Sequence, residues 1–269
     1  FHLVKFGSPI NRIGRNINFG IREFGMAAIQ NGMLLHGGLR TYAGCFLVFA
    51  DYMKNGIRMA ALSELPAIYL FSHDSIAVGE DGPTHQPIEQ CAMLRSIPNV
   101  DVYRPCDARE TAASWKLSLL SKKTPSALIL SRQALPSVEG TSYEGVEKGA
   151  YIVSKEVKNA DFVIIATGSE VSLALEAQKK LRELKIDTRV VSMPSMERFA
   201  RQDQRYQVAV LGKDYSRRIA VEMLSSFGWH KYAKTVMSMD QFGTSAPAGD
   251  AIKKFDFTAD RLVKIIEAL

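Results

Sequence analysis

The sequence has 269 residues, a hydrophobic fraction of 46% and a formal net charge of +6, which suits one large or two ordinary globular domains. No apolar run is long enough to cross a bilayer, and the N-terminus lacks a signal-peptide pattern. Basic residues are scattered, which argues against nucleic-acid binding. Three cysteines without metal spacing predict free thiols in a reducing cytoplasm. We therefore expect a cytoplasmic protein without nucleic-acid or membrane partners.

Strand and helix patterns alternate along the first half of the chain. The first predicted helix has an apolar face formed by Phe24, Ala27, Ala28, Asn31 and Leu35, and Gly37-Gly38 ends it. In chain order, the predicted elements are a helix over 19–35, a strand and turn over 41–49, a helix over 52–62, a strand over 67–72, a helix over 88–95, a strand over 100–105, a helix over 107–120 and a strand over 126–132.

A second alternating run follows residues 133–149, which are poor in apolar side chains and contain Pro136, Gly140 and Gly145. We place a domain boundary there, giving domains over 1–140 and 141–269. The later predicted elements are a strand over 161–168, a helix over 169–184 with Ser169 as its cap, strands over 188–194 and 218–222, and a helix ending at 269. This alternation predicts an α/β protein of two consecutive domains, each a mostly parallel sheet with helices on both faces.

Residues 72–87, here called the histidine loop, follow the purely apolar strand pattern of residues 67–71. The carboxyl end of such a strand is where open α/β sheets bind ligands. The loop carries His73 and His85 together with two aspartates and one glutamate. A loop dense in titratable groups on a rigid strand predicts a functional site, whereas the alternative is a solvated turn.

Other residues allow two interpretations on chemistry alone. Glu23 near a helix start is either an ion-paired glutamate or a group that contacts a heterocyclic nitrogen or a moving proton. Phe46, Phe49 and Tyr52 are spaced three apart, a spacing more typical of core than of a ligand platform. Arg132 at the end of a buried strand should face a partner or an anion. Spacings for a metal site and for a serine-nucleophile triad are both missing from the sequence.

Seven motifs in order resemble transketolases, from about residue 13 to 269. They span the histidine loop and the segments 20–24, 46–52, 130–133, 165–171, 227–232 and 242–249. The resemblance implies ketol transfer between a ketose phosphate and an aldose phosphate, a reaction of the pentose phosphate pathway. It also implies that this chain corresponds to the pyrimidine-binding and C-terminal domains of a three-domain enzyme.

The resemblance implies thiamine diphosphate as the cofactor, bound between the first domain of one subunit and the pyrimidine domain of another. Glu23 matches the glutamate that hydrogen-bonds the aminopyrimidine ring and so relays a proton through the cofactor. Phe46, Phe49 and Tyr52 match the aromatic pocket around that ring. The ligands of the family's Mg²⁺ or Ca²⁺ are expected on the missing domain, so no metal ligand is assigned to this chain.

The substrate-contacting residues of the family also have counterparts here. His73 and His85 match histidines of the substrate channel, with proton-transfer and hydroxyl-binding roles. Asp81 matches an aspartate that reads a substrate hydroxyl, and Arg132 matches an arginine that binds the sugar phosphate. The resemblance therefore implies Glu23, His73 and His85 as catalytic residues.

The departures from the family concern the part of the enzyme that binds the diphosphate of the cofactor and its metal ion. The segment with the family's Gly-Asp-Gly and Asn ligands is absent, as is the segment that opens the pyrimidine domain. The chain begins with Phe1, so it is expected to be half of a split enzyme, or a fragment, that is inactive without a diphosphate-binding domain. Two expectations follow for its partners, a homodimer or an assembly with a separate domain. The alternatives are a related thiamine enzyme, such as dihydroxyacetone synthase or a ketoacid dehydrogenase subunit, and a non-catalytic dimerisation module.

Overall fold

The N-terminal half is built around a parallel sheet. The computed structural model describes residues 14–269, so the first predicted residues of this half lie outside the described part of the chain. Within it, the sheet has four strands in the spatial order β1-β2-β4-β3. The strands are β1 (Tyr42–Phe46), β2 (Ile68–Ser72), β3 (Asp101–Tyr103) and β4 (Ser126–Ile129), and the helices are α1 (Glu23–His36), α2 (Ala50–Leu62), α3 (Gln90–Arg95) and α4 (Ala108–Leu120).

The C-terminal half carries a second sheet in the order β5-β7-β6-β8-β9, in which only β5 runs antiparallel among the described strands. The prediction of two α/β units with mostly parallel sheets is therefore confirmed. The strands are β5 (Tyr151–Ser154), β6 (Phe162–Ala166), β7 (Thr188–Ser192), β8 (Arg218–Val221) and β9 (Thr235–Met237), and the helices are α5 (Tyr143–Lys148), α6 (Glu170–Glu183), α7 (Met196–Ala200), α8 (Gln204–Leu211), α9 (Ala248–Lys254) and α10 (Ala259–Glu267).

Continuous apolar stretches form the central strands. All five residues of β6 are buried, which fits a strand covered on both faces by helices. Side-chain caps fix the helix starts, because they accept hydrogen bonds from otherwise free backbone N–H groups. Asp107 accepts one from Glu110 at 2.8 Å, and Thr258 accepts one from Arg261 at 3.2 Å. Ser169 occupies the predicted N-cap position of α6, but its hydroxyl donates to the Glu170 carboxylate at 2.6 Å instead of accepting from a backbone N–H.

The predicted apolar face of the first helix is wrong in part. Phe24 and Leu35 are 51% and 68% exposed, whereas Ala27 and Asn31 are buried. The reason is the close approach of α2, where a side chain on Gly56 would come within 2.6 Å of the Ala27 methyl group. The pattern also missed the short elements α5, β5, α7, α8, β9 and α9, which are too brief to show a clear period.

One apolar core runs through both halves. A single buried cluster includes Ile68 and Leu128 of the first sheet and Ile164 and Val221 of the second. The segment expected to be a polar linker contributes buried Val138 and Val146 to the same cluster. The two sheets are therefore packed together, and charged side chains also cross between them. No helix among residues 14–269 is long and apolar enough to cross a membrane.

Candidate active site at the carboxyl edge of the first sheet

The predicted site residues collect where β1, β2 and β4 end. Phe46, the last residue of β1, pairs in register with Ser72, the last residue of β2. The neighbouring β4 ends at Ile129, opposite Phe71. Because these parallel strands end at one edge, the segments after them meet there, as the sheet-edge argument predicted.

The histidines and aromatic rings form a continuous row. The His73 ring stacks on Phe46, with ring centroids 3.6 Å apart and an angle of 17° between planes. His85 meets Phe49 edge-on at 5.4 Å, and Phe49 stacks on Tyr52 at 6.2 Å. Phe46 and Phe49 are 6.3 Å apart, which joins the two ends of the row. Tyr52 remains 64% exposed, so the row ends on an open aromatic surface rather than in the core.

Neighbouring hydroxyls orient both imidazoles. The His73 Nδ1 lies 3.0 Å from the Ser72 hydroxyl, and the His85 Nδ1 lies 2.9 Å from the Thr84 hydroxyl. In each ring the other nitrogen, Nε2, makes no hydrogen bond within residues 14–269, so it can meet a ligand or a proton. The backbone of His73 is in the left-handed region, with φ of 60°, a conformation that L residues adopt at an energetic cost.

Charged residues of the histidine loop and of the segment after β4 shift the pKa of His73. Burial lowers the pKa of His73 below its ordinary value, and the Arg132 guanidinium lowers it further. Asp81 and Asp74 act in the opposite direction. Asp81 and Arg132 are therefore close enough to influence the charge of His73, and its neutral imidazole is favoured at neutral pH.

Glu23 begins α1, where the helix dipole favours a negative charge. Its neighbour Arg22 is held by a hydrogen bond from its guanidinium to the Phe19 carbonyl at 2.8 Å. Burial raises the pKa of the Cys45 thiol to about 12, and the charge of Glu23 contributes to that rise. Glu23 is therefore within electrostatic reach of Cys45, the residue that precedes Phe46 in β1.

Two expectations about the site need correction. The histidine loop is a solvated turn only at its tip over 80–84, since Asp74, Ser75 and Gln86 near its two ends are at most 2% exposed. Arg132 does not end a buried strand, because β4 stops at Ile129 and Arg132 lies exposed beyond it. The argument from a buried charge therefore fails for Arg132, although the residue still lies within electrostatic reach of His73.

Several residues that hold the site were missed from the sequence. Arg104 follows β3 as Arg132 follows β4, yet Arg104 is the fully buried one, bonded to Asp74 of the histidine loop at 3.0 Å. The sequence could have identified Arg104, because a charged residue directly after a buried apolar strand needs a partner. Gln86 lies within the histidine loop and Ser245 within segment 242–249, but nothing local in the sequence pointed to the contacts between these two motifs.

No group of three or more histidine, cysteine or acidic side chains in residues 14–269 is arranged to hold a metal ion. Asp74 of the histidine loop is instead paired with Arg104.

Comparisons with known proteins agree with this arrangement. Residues 3–138 match the family model described as transketolase, pyrimidine binding domain, and residues 149–258 match the transketolase-like C-terminal domain. The fold and site thus define a pyrimidine-binding α/β unit joined to a transketolase-like C-terminal unit. The chain belongs to the transketolase family.

Individual relatives extend the comparison. A transketolase of Bacillus subtilis is 52% identical over 269 residues, which cover 97% of this chain and 40% of that protein. The Pichia stipitis transketolase in complex with sedoheptulose 7-phosphate is 41% identical, with a TM-score of 0.95 over 99% of this chain and 40% of its own. A split-gene transketolase described as an inactive β4 tetramer is 25% identical, with a TM-score of 0.78 over 94% of this chain and 83% of its own. The chain thus spans 40% of the length of this Bacillus subtilis transketolase and of a probable transketolase of Streptococcus pneumoniae.

Proposed function

We propose that this chain supplies the pyrimidine-binding and substrate-contacting part of a transketolase, which moves a two-carbon ketol unit from a ketose phosphate to an aldose phosphate. The observation that carries the proposal is the row of His73, Phe46, Phe49 and His85 at the sheet edge. The family membership and the sugar phosphate bound by the Pichia stipitis relative support the substrate class.

The described residues fit the aminopyrimidine ring of thiamine diphosphate. Such a ring needs an aromatic surface and an acceptor for its N–H, and Phe49, Tyr52 and Glu23 offer both. When bound, the cofactor supplies stabilisation of negative charge on carbon. Glu23 holds the ring through a hydrogen bond and accepts or returns a proton at its carboxylate. The phosphate and metal ligands are expected on another domain.

The charged and polar groups of the row act on the sugar phosphate. His73 and His85, each with Nε2 available, bind substrate hydroxyls and move protons. Asp81 accepts from a hydroxyl, and exposed Arg132 binds the phosphate group. A ketoacid would leave Asp81 and Arg132 without their ligands, which disfavours a ketoacid dehydrogenase subunit. Dihydroxyacetone synthase differs only in using formaldehyde as acceptor.

We infer that the active assembly includes a diphosphate-binding domain in addition to residues 1–269. The 40% share of its curated relatives and the split-gene relative support that view. We infer that the active assembly contains at least two chains and a bound divalent metal ion. We also infer a cytoplasmic location. The two family-model matches and the two sheets support a domain boundary at 140/141.

A second candidate is a non-catalytic module. The description of the split-gene tetramer as inactive favours it for the chain in isolation.

The deciding experiment measures ketol transfer by this chain with Mg²⁺ and thiamine diphosphate, first alone and then with a separately produced diphosphate-binding domain of a related transketolase. We expect activity only after the addition, and loss of most of it in Glu23→Gln. Formaldehyde preferred over ribose 5-phosphate as acceptor would indicate the synthase instead. Activity that stays absent in the mixture, while the two parts bind each other, would contradict an enzymatic role.

A further inference from the structure

Arg104 ties the start of the histidine loop to the C-terminal half. Its Nε donates to the Asp74 carboxylate at 3.0 Å, and the same oxygen lies 2.8 Å from Nη2. On the other side, Nη1 donates to the Thr167 hydroxyl at 2.8 Å and to the Glu170 carboxylate. All of these charges are at least 99% buried. The arginine therefore couples a loop residue directly to the start of α6.

The backbone around Arg104 leaves little room for another arrangement. The Arg104 N–H donates to the Pro194 carbonyl at 2.9 Å, and the Arg104 carbonyl accepts from Gly168 at 3.0 Å. Gly168 has φ of 52°, and a Cβ there would lie 2.7 Å from the guanidinium carbon. Glycine at 168 therefore allows the strand end of the C-terminal half to close around the arginine.

Gln86 ties the other end of the histidine loop to the segment after β9. Its amide nitrogen lies 3.2 Å from the carbonyls of Ile76 and Gly79, and 2.9 Å from that of Thr244. The first two contacts hold the loop to itself, and the third holds it to the C-terminal half. A Cβ on Gly243 would come within 1.8 Å of the Gln86 amide oxygen, so the segment packs directly on this side chain.

Ser245 adds a contact at the tip of the histidine loop. Its hydroxyl donates to the Glu80 carbonyl at 2.6 Å, and its Cβ would be 3.1 Å from a Cβ on Gly82. Glu80 and Gly82 flank Asp81, one of the candidate substrate residues. Segment 242–249 has no role in the chemistry proposed above. It lies against the tip of the histidine loop, which carries Asp81.

We propose that the C-terminal half positions the catalytic histidines by holding the histidine loop at both ends, with Arg104 and Gln86 as positioning residues. The inference rests on the proposed function for its effect on catalysis, but not for its effect on the loop. Asp74 directly follows His73, whose left-handed backbone must be held in place, and Gln86 directly follows His85. Each histidine therefore adjoins a residue that the C-terminal half helps to fix.

The test compares Gln86→Met with Gln178→Met. Gln178 is also a buried glutamine whose amide donates to a strand carbonyl, that of Thr188 at 2.6 Å, but it bonds within the C-terminal half only. Proton NMR of the isolated chain reads the His73 and His85 ring signals, assigned with His73→Asn and His85→Asn. We expect both signals to move or broaden in Gln86→Met and to stay in place in Gln178→Met, because the ring stacking on Phe46 and Phe49 is disturbed only in the first.

Activity in the assembled enzyme gives the second measurement. We expect kcat to fall at least about tenfold in Gln86→Met, since small displacements of catalytic groups have large effects on rate. The milder pair Ser245→Ala and Ser96→Ala serves if Gln86→Met does not fold. The hydroxyl of each serine donates to a backbone carbonyl at 2.6 Å, but only that of Ser245 contacts the histidine loop.

The outcomes separate the two proposals. Altered histidine signals in an assembly that shows no ketol transfer even as wild type would refute the proposed function and keep the positioning role. Folded Gln86→Met and Ser245→Ala proteins whose histidine signals and kcat both equal those of their controls would overturn the positioning role.

Discussion

The Arg95 guanidinium donates one hydrogen bond to each carboxylate oxygen of Glu222, at 2.7 and 2.8 Å, and so joins α3 to the end of β8. Glu222 also accepts from the Thr167 hydroxyl at 2.6 Å and from the Trp229 indole at 2.7 Å. The carboxylate is fully buried. The contact between the two halves therefore includes a desolvated ion pair whose carboxylate accepts four hydrogen bonds.

This pair predicts a specific loss of stability in acid. Burial by itself would raise the pKa of Glu222, but Arg95 and the surrounding donors hold it at about 2, below the ordinary 4.5. Because the folded state binds this proton more weakly, the stabilisation is complete above pH 4.5 and is lost as the pH falls toward 2. The difference corresponds to about 3 kcal/mol. Urea unfolding between pH 6 and 2 should show a steeper pH dependence for the wild type than for Glu222→Gln, and equal slopes would contradict the prediction.

Removing the other partner should be more damaging than removing an exposed charge. Arg95→Met leaves the Glu222 carboxylate buried without its cation, which typically costs about 3–5 kcal/mol in the free energy of unfolding. Arg58→Met on the exposed side of α2 should change it by no more than about 0.5 kcal/mol. Chemical unfolding at pH 7 measures both, and similar values for the two variants would argue against the pair's importance.

The pKa of His73 should respond in opposite directions to its two neighbours. Arg132→Gln removes a positive charge that lowers this pKa, so the midpoint should rise toward the ordinary 6.5. Asp81→Asn removes a negative charge that raises it, so the midpoint should fall further. A pH titration of the His73 ring signal by NMR checks both. Shifts of the same sign would show that these residues do not surround His73 as described.

The lowered pKa of His73 makes the free energy of unfolding depend on pH. Since the folded state disfavours the charged imidazole, the contribution of His73 is complete above pH 6.5 and decreases as the pH falls below it. Arg132→Gln should weaken this dependence.

Cys45 reports the position of Glu23. The pKa of its thiol is raised to about 12 by burial first and by the Glu23 charge second. Glu23→Gln should therefore lower that pKa and speed alkylation of Cys45 by iodoacetamide at pH 8.5, by less than about tenfold because burial remains. Buried Cys91 and Cys106 serve as internal references. An unchanged rate at Cys45 would show that the Glu23 charge does not act on this thiol.

The sequence predicted those features that local patterns determine. Unbroken apolar runs such as residues 162–166 predicted buried strands, and the order of seven motifs indicated the family before any coordinates. Burial of a strand on both faces leaves its mark on every residue of that strand, so it is visible locally. The histidine loop was likewise apparent as a site, because it follows a buried strand at its carboxyl end, whereas the aromatic residues joined that site only through the family resemblance.

Only the tertiary structure decided which side chains meet across the two halves. Gln86 and Thr244 are 158 positions apart, and Arg104 and Glu170 are 66 apart, so no periodicity relates them. The same limit explains the first helix, whose apolar Phe24 and Leu35 are exposed while Asn31 is buried and bonded to Gly56. A hydrophobic pattern records which residues could be buried, whereas the packing partner determines which of them are, and that partner is fixed only when the chain has folded.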